Sequence, residues 1–221
     1  MCIRDRNITI IVLAAILLPV LLHSENKENR KVLVPVKTVL SLLFVLTAVV
    51  QPHPILRYYL FILPGLVFCL CGDVFLALPQ KKSFLFGLIS FLLGHIFYII
   101  GFFYIAQESP WTWVGSAIFL VISGWVYIRL RPNLGSMKVP VLVYVMAITV
   151  MISGAWSVLG DFYLTGLGRM MVFVGAVFFY ISDVFVARDR FLKEKFINRI
   201  IGLPLYYSGQ FLLAFSVGFL G

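Results

Sequence analysis

The chain has 221 residues, of which 62% are hydrophobic and only 12% are charged, with a formal net charge of +9. Soluble domains are about half apolar and about a quarter charged, so this composition excludes a water-soluble fold and makes lipid the solvent. The positive charge does not point to nucleic acid, because the basic residues sit in short loops between apolar runs, where membrane topology puts them.

The apolar runs are continuous rather than alternating, which selects helices over a membrane barrel. The first six residues, Met-Cys-Ile-Arg-Asp-Arg, look like a translated sequencing adapter and are expected to be non-native. Spans are then predicted over 8–22, 32–50, 58–78, 84–106, 113–130, 139–159, 167–187 and 200–220. Most are long enough to cross ~30 Å of hydrocarbon at about 1.5 Å per residue. Loops carry the breakers, among them Gln51-Pro52-His53-Pro54, Pro79-Gln80-Lys81-Lys82, Glu108-Ser109-Pro110 and Arg131-Pro132-Asn133. No cleavable signal peptide is evident, since 8–22 lacks a small-residue cleavage site. With these spans, 14 Lys and Arg fall on one side and four (Arg4, Arg6, Arg57, Arg169) on the other. The first side is expected to be cytoplasmic, with both termini outside.

An internal repeat is legible. Gly65-Leu66-Val67-Phe68 leads to Asp73-Val74-Phe75-Leu76-Ala77, and 110 residues later Gly175-Ala176-Val177-Phe178 leads to Asp183-Val184-Phe185-Val186-Ala187. The following spans match at an offset of 115, with Gly87-Leu88 before Gly94-His95 and Gly202-Leu203 before Gly209-Gln210. Four spans separate each pair, so the repeat is parallel. The expected architecture is an all-α polytopic membrane protein, one transmembrane domain over 1–221, with about eight helices in two four-helix halves near 7–106 and 111–221.

Nine acids are present and only Asp73 and Asp183 fall inside spans. An Asp at a helix centre costs roughly 2.5–3.5 kcal/mol on insertion scales. Both lie near the basic ends of corresponding helices, so they can face each other across the repeat axis. Two carboxyls in one dry cavity resist ionising together, which yields an acid and a base from one residue type. The alternative is structural, an interhelical hydrogen bond or an ion pair with Lys37. His95 and Tyr98, at i and i+3, share a helix face, and the bland reading of His95 is a packing histidine. Gln210 is the repeat partner of His95. Of Tyr206 and Tyr207, one is expected to face the cavity and the other to pack or meet lipid. Lys37 is placed to pair with an Asp or a lipid phosphate, or to snorkel. Tyr180 and Ser182 are expected to stand behind Asp183 at best. Cys2, Cys69 and Cys71 show no metal spacing, and phosphate-loop, nucleophile-elbow and zinc-helix motifs are absent. Gly94 and Gly209 are expected to serve close helix packing.

Gly72-Asp73-Val74-Phe75-Leu76, Gly87 with Gly94-His95-Ile96-Phe97-Tyr98, Ser182-Asp183, and Pro204-Leu205-Tyr206-Tyr207-Ser208-Gly209-Gln210 together resemble the YhhN-like lysoplasmalogenase family, as does Lys37 within Pro35-Val36-Lys37-Thr38. The likeness covers nearly the whole chain after the leader. It implies an eight-span membrane hydrolase that cleaves the vinyl ether bond of lysoplasmalogens to a fatty aldehyde and a glycerophospho-ethanolamine or -choline. Vinyl ethers hydrolyse by rate-limiting protonation of the alkene carbon, which needs a desolvated acid and an anion beside the resulting oxocarbenium ion. Asp73 and Asp183 are the expected catalytic pair. Lys37, His95, Tyr98, Tyr206, Tyr207 and Gln210 are the expected substrate contacts, with the tail running towards His95 and Tyr98 and the headgroup towards the basic loops. No metal or cofactor is required. The expected partners are a lysophospholipid or other lipid, the membrane, and a second copy in a homodimer, with a bacterial inner membrane as the location. The competing readings are a proton-coupled transporter using the same aspartates and a lipid-binding scaffold.

Overall fold

The structure is a computed structural model, and it describes residues 3–80, 82–107 and 109–221. Cys2, Lys81, Glu108 and the Arg4 side chain lie outside the described residues. Eight α-helices run through the rest: α1 Ile3–Asn26, α2 Arg30–Val50, α3 Leu56–Ala77, α4 Ser83–Ile105, α5 Pro110–Leu130, α6 Lys138–Gly160, α7 Gly166–Phe191 and α8 Phe196–Ser216. They match the predicted spans in number and order, and no strand occurs among the described residues. The chain is an integral membrane protein.

Seven of these helices, α1 to α7, are long and apolar enough to cross a bilayer. The eighth has the length but not the composition, because Asn198, Tyr206, Tyr207 and Gln210 lie along its buried face. That polarity is turned inward, where Asp73 accepts from Tyr206, Gln210 accepts from Tyr98 and Asn198 donates to Asp189. A second departure from the predicted spans is at α7, which runs one turn past 187 to Phe191. Arg188 and Arg190 occupy that last turn, where positive charge offsets the helix dipole. The extra turn carries Asp189 and Arg190 up to the mouth of the site described below.

Short connections force neighbours antiparallel, so the α1–α2, α3–α4, α5–α6 and α7–α8 junctions share one end, the basic end. At the other end the two chain ends meet the α2–α3 loop: Arg6 donates to the Val50 carbonyl and Gly218 lies against Gln51. The closest neighbours are α3 with α4 and α7 with α8; α2 packs on α3 and α8, while α6 packs on α7 and α4. Both close pairs cross at glycine. A Cβ on Gly94 would sit 3.0 Å from the Gly65 carbonyl oxygen, and one on Gly209 would sit 2.8 Å from that of Gly175. Backbones this close leave no room for a methyl group. The central core is aromatic and aliphatic, with Phe44, Tyr58, Leu66, Tyr98, Phe102 and Phe179 fully buried. Outer faces of α1 and α5 present Ile8, Ile16, Leu120 and Val121, as a lipid-facing surface requires.

Candidate functional site

Asp73 is on α3, one turn before its end, and its side chain is only 2% exposed. Two further helices converge on it. From α2, Lys37 Nζ lies 3.6 Å from Oδ1 and Ser41 Oγ donates to Oδ2 at 2.6 Å. From α8, the Tyr206 hydroxyl donates to the same Oδ2 at 2.6 Å. A buried carboxylate is tolerable only when paired and hydrogen-bonded, and this one has a cation and two hydroxyl donors. Lys37 is therefore turned inward to an aspartate rather than outward to lipid.

Asp183, on α7, is partnered differently. Tyr144 from α6 donates to Oδ2 at 2.6 Å. The Nε2 of His95, on α4, lies 3.8 Å from the same oxygen, which is beyond hydrogen-bond length. The other ring nitrogen of His95, Nδ1, is 2.7 Å from the Phe91 carbonyl oxygen. A carbonyl only accepts, so Nδ1 carries a hydrogen, and in the neutral ring Nε2 presents its lone pair to Asp183. Nε2 is buried and has no hydrogen-bond partner among the described residues. The Asp183 side chain is 18% exposed, and that exposure opens into a cavity.

The cavity holds about 340 Å³ and is lined by both Asp73 and Asp183. Lys37, Tyr144, Ser182 and Tyr206 also line it. Its far wall is apolar, built from Val126 and Leu130 of α5 and Val141, Val145 and Ile148 of α6. Tyr180 and Ser123 close the deeper end, joined hydroxyl to hydroxyl at 2.8 Å. At the basic end the walls turn ionic. Arg199 there bridges Glu25, Asp189 and Glu194 at 3.3, 3.2 and 2.9 Å, tying α1, the end of α7 and the start of α8 together.

Of the substrate contacts expected from the sequence, Lys37 and Tyr206 line this cavity, while His95, Tyr98, Tyr207 and Gln210 stand behind its wall. The Tyr98 hydroxyl donates to Gln210 Oε1 at 2.7 Å, tying α4 to α8. Tyr207 is buried, its hydroxyl 3.4 Å from Ser41 Oγ, so neither tyrosine of the pair faces lipid. His95 and Tyr98, towards which the tail is expected to run, are both fully buried, and the apolar wall of the cavity is built from α5 and α6. Packing decides this, since Phe179 lies against both the His95 and Tyr98 rings and fills that direction.

Sequence reading missed Tyr144 and Ser41, and it gave Arg199 no role beyond topology. The likeness of 65–77 to 175–187 in the sequence offered a signal for Tyr144. Lys37 and Ser41 on α2 serve Asp73 on α3, so α6, the span preceding α7, was the place to look for a donor to Asp183. Ser41 sits one turn from Lys37 on the same face.

Comparison with known proteins places the chain among relatives. It is 30% identical to lysoplasmalogenase TMEM86A of Bos taurus over 157 residues, which cover 69% of this chain and 62% of that protein. It is 31% identical to the Homo sapiens TMEM86A lysoplasmalogenase over the same length. Over 174 residues it is 30% identical to a lysoplasmalogenase of Mycobacterium bovis, covering 76% of this chain and 63% of that one. The chain thus spans less than two thirds of the length of these relatives. No solved structure matches it. The model of the YhhN family matches residues 30–217, which takes in α2 to α8 and every residue of the two aspartate clusters, and the chain belongs to the YhhN family.

Proposed function

We propose that this protein is a membrane-embedded hydrolase of the vinyl ether bond in lysoplasmalogen-type lysophospholipids, with Asp73 and Asp183 as its acid/base pair. The reading is carried by one observation: the two intramembrane carboxyls line one cavity that has an apolar wall and an ionic mouth. The activity named for the relatives supports the substrate class.

The partners of each carboxyl divide the labour. Lys37, Ser41 and Tyr206 supply positive charge and donors to Asp73, which suits a standing anion. Asp183 has one donor and faces the lone pair of His95, an arrangement that suits a protonated carboxyl. Asp183 gives its proton to the alkene carbon remote from oxygen, leaving an oxocarbenium ion. Asp73 stands beside that cation and takes a proton from the water that adds to it. The hemiacetal then collapses. Its hydroxyl proton returns to Asp183, and the proton on Asp73 passes to the departing glycerol oxygen. One water is consumed, an aldehyde and an alcohol form, and both side chains are restored. The alkenyl chain lies along Val126, Val141 and Val145. His95 acts as a positioning residue for Asp183.

In this reading the basic end faces the cytoplasm of a bacterial inner membrane and both chain ends lie outside. The glycine crossings of α3 with α4 and of α7 with α8 support two parallel four-helix halves. The test uses purified protein in detergent and a 1-alkenyl lysophosphoethanolamine, with aldehyde release followed by mass spectrometry. Asp73→Asn and Asp183→Asn are each expected to lower kcat by roughly 100- to 10,000-fold, the usual worth of a positioned acid or base. Full activity in both variants would refute the dyad, and proton-driven uptake with no aldehyde formed would replace hydrolysis with transport.

A further inference from the structure

We infer that Arg30 and Arg190 form a subsite at the cavity mouth for the phosphate of a glycerophospholipid headgroup, an inference that rests on the lipid substrate proposed above. Arg30 opens α2 and Arg190 lies in the last turn of α7. Both line the main cavity, and both also line a second cavity of about 210 Å³ beside it. They therefore stand at the junction of the two spaces, with Gln80 as a further polar neighbour.

Charge pairing separates these two arginines from the rest of the mouth. Glu25, Asp189 and Glu194 all bind Arg199. Among the described residues neither Arg30 nor Arg190 makes an ion pair with a carboxylate. Arg30 donates one N–H to the Ala77 carbonyl at 2.9 Å, leaving the rest of its donor fork open. Arg190 lies over the Phe84 ring at 4.7 Å, which holds the guanidinium in place without neutralising it. Planar forks of this kind bind phosphate oxygens in pairs.

Spacing agrees with the chemistry. Ala77 follows Asp73 by one helical turn, ~6 Å along α3, and Arg30 is bonded to its carbonyl. In a glycerophospholipid the ether oxygen on glycerol lies five bonds from phosphorus, also roughly 6 Å at ordinary bond lengths. A lipid with its ether at the aspartates thus presents its phosphate at the arginines.

The test measures binding and turnover separately. Binding of a saturated 1-alkyl lysophosphoethanolamine, which has no vinyl ether to cleave, is compared with binding of 1-alkylglycerol, which has no phosphate. The double variant Arg30→Gln/Arg190→Gln is expected to lose about tenfold or more in affinity for the phospholipid and to bind the alkylglycerol unchanged. Arg30→Lys/Arg190→Lys is expected to recover part of the loss, since charge returns without the fork. With a cleavable substrate the Gln variant should raise KM far more than it lowers kcat. Equal binding of the phospholipid by wild type and Gln variant would overturn the subsite, as would equal loss for both ligands. Displacement by phosphatidylglycerol micelles or by millimolar inorganic phosphate as effective as by the lysolipid would assign the arginines to bystander lipid or free phosphate and overturn it too. If wild type binds with this preference but releases no aldehyde from a vinyl ether, the hydrolase reading fails and the subsite stands.

Discussion

At the scale of single residues, two aspartates of one type differ because of what surrounds them. Asp73 is held by a cation and two hydroxyls, Asp183 by one hydroxyl and an orphaned imidazole nitrogen. Removing one partner of a buried ion pair strands the other charge, typically at about 3–5 kcal/mol. Removing a single hydroxyl donor costs about 1–3 kcal/mol. Lys37→Met should therefore lower the thermal midpoint in detergent clearly more than Tyr144→Phe does. Tyr144→Phe should pair that smaller loss of stability with a turnover reduced by about tenfold, because the Asp183 carboxyl loses its orientation. Equal destabilisation by the two variants would contradict this difference in environment.

At the scale of elements, helix spacing in this bundle is set by glycine. The α7–α8 crossing has a glycine on each side, and a methyl group on Gly209 would meet the Gly175 carbonyl at 2.8 Å and the Phe179 backbone nitrogen at 3.1 Å. Backbone cannot rotate away as a side chain can, so the helices must separate. Overpacking of this kind costs about 1–3 kcal/mol, and it would also shift Tyr206, one turn away, from Asp73. Gly209→Ala is expected to lower both the thermal midpoint and turnover. Gly124→Ala on α5, where nothing among the described residues lies within 4 Å of the added carbon, should lower neither. Thermal melts and initial rates of the two variants, measured side by side, check this.

At the scale of the whole molecule, the ionic mouth and the greater share of Lys and Arg lie at one end of the bundle. Loop charge fixes orientation during insertion, so that end is expected in the cytoplasm. Single cysteines at Lys195→Cys and Tyr163→Cys, in a Cys2→Ser background, report the two ends. In intact cells a membrane-impermeant maleimide should label the second and reach the first only after permeabilisation. The reverse pattern would invert the topology and place the headgroup mouth outside. Cys69 is buried and Cys71 half-buried within α3, so neither competes for the label.

Much of this protein is written in local sequence. Continuous apolar runs with Pro- and Lys-rich breaks set the number and order of the helices and their ends to within five residues, because in lipid a backbone must satisfy itself within each segment. The cost of burying charge singled out Asp73 and Asp183, and Gly and Asp recur at a fixed offset in the two segments that carry them. Tertiary structure alone decided which groups reach each carboxyl. Ser41, Tyr144 and Tyr206 come from helices 32, 39 and 133 residues away in pairing, and no local pattern encodes such contacts. It also decided that the open apolar wall lies against α5 and α6 rather than His95 and Tyr98. Phe179 fills the space beside those rings, and where a cavity remains depends on how every neighbouring helix packs at once.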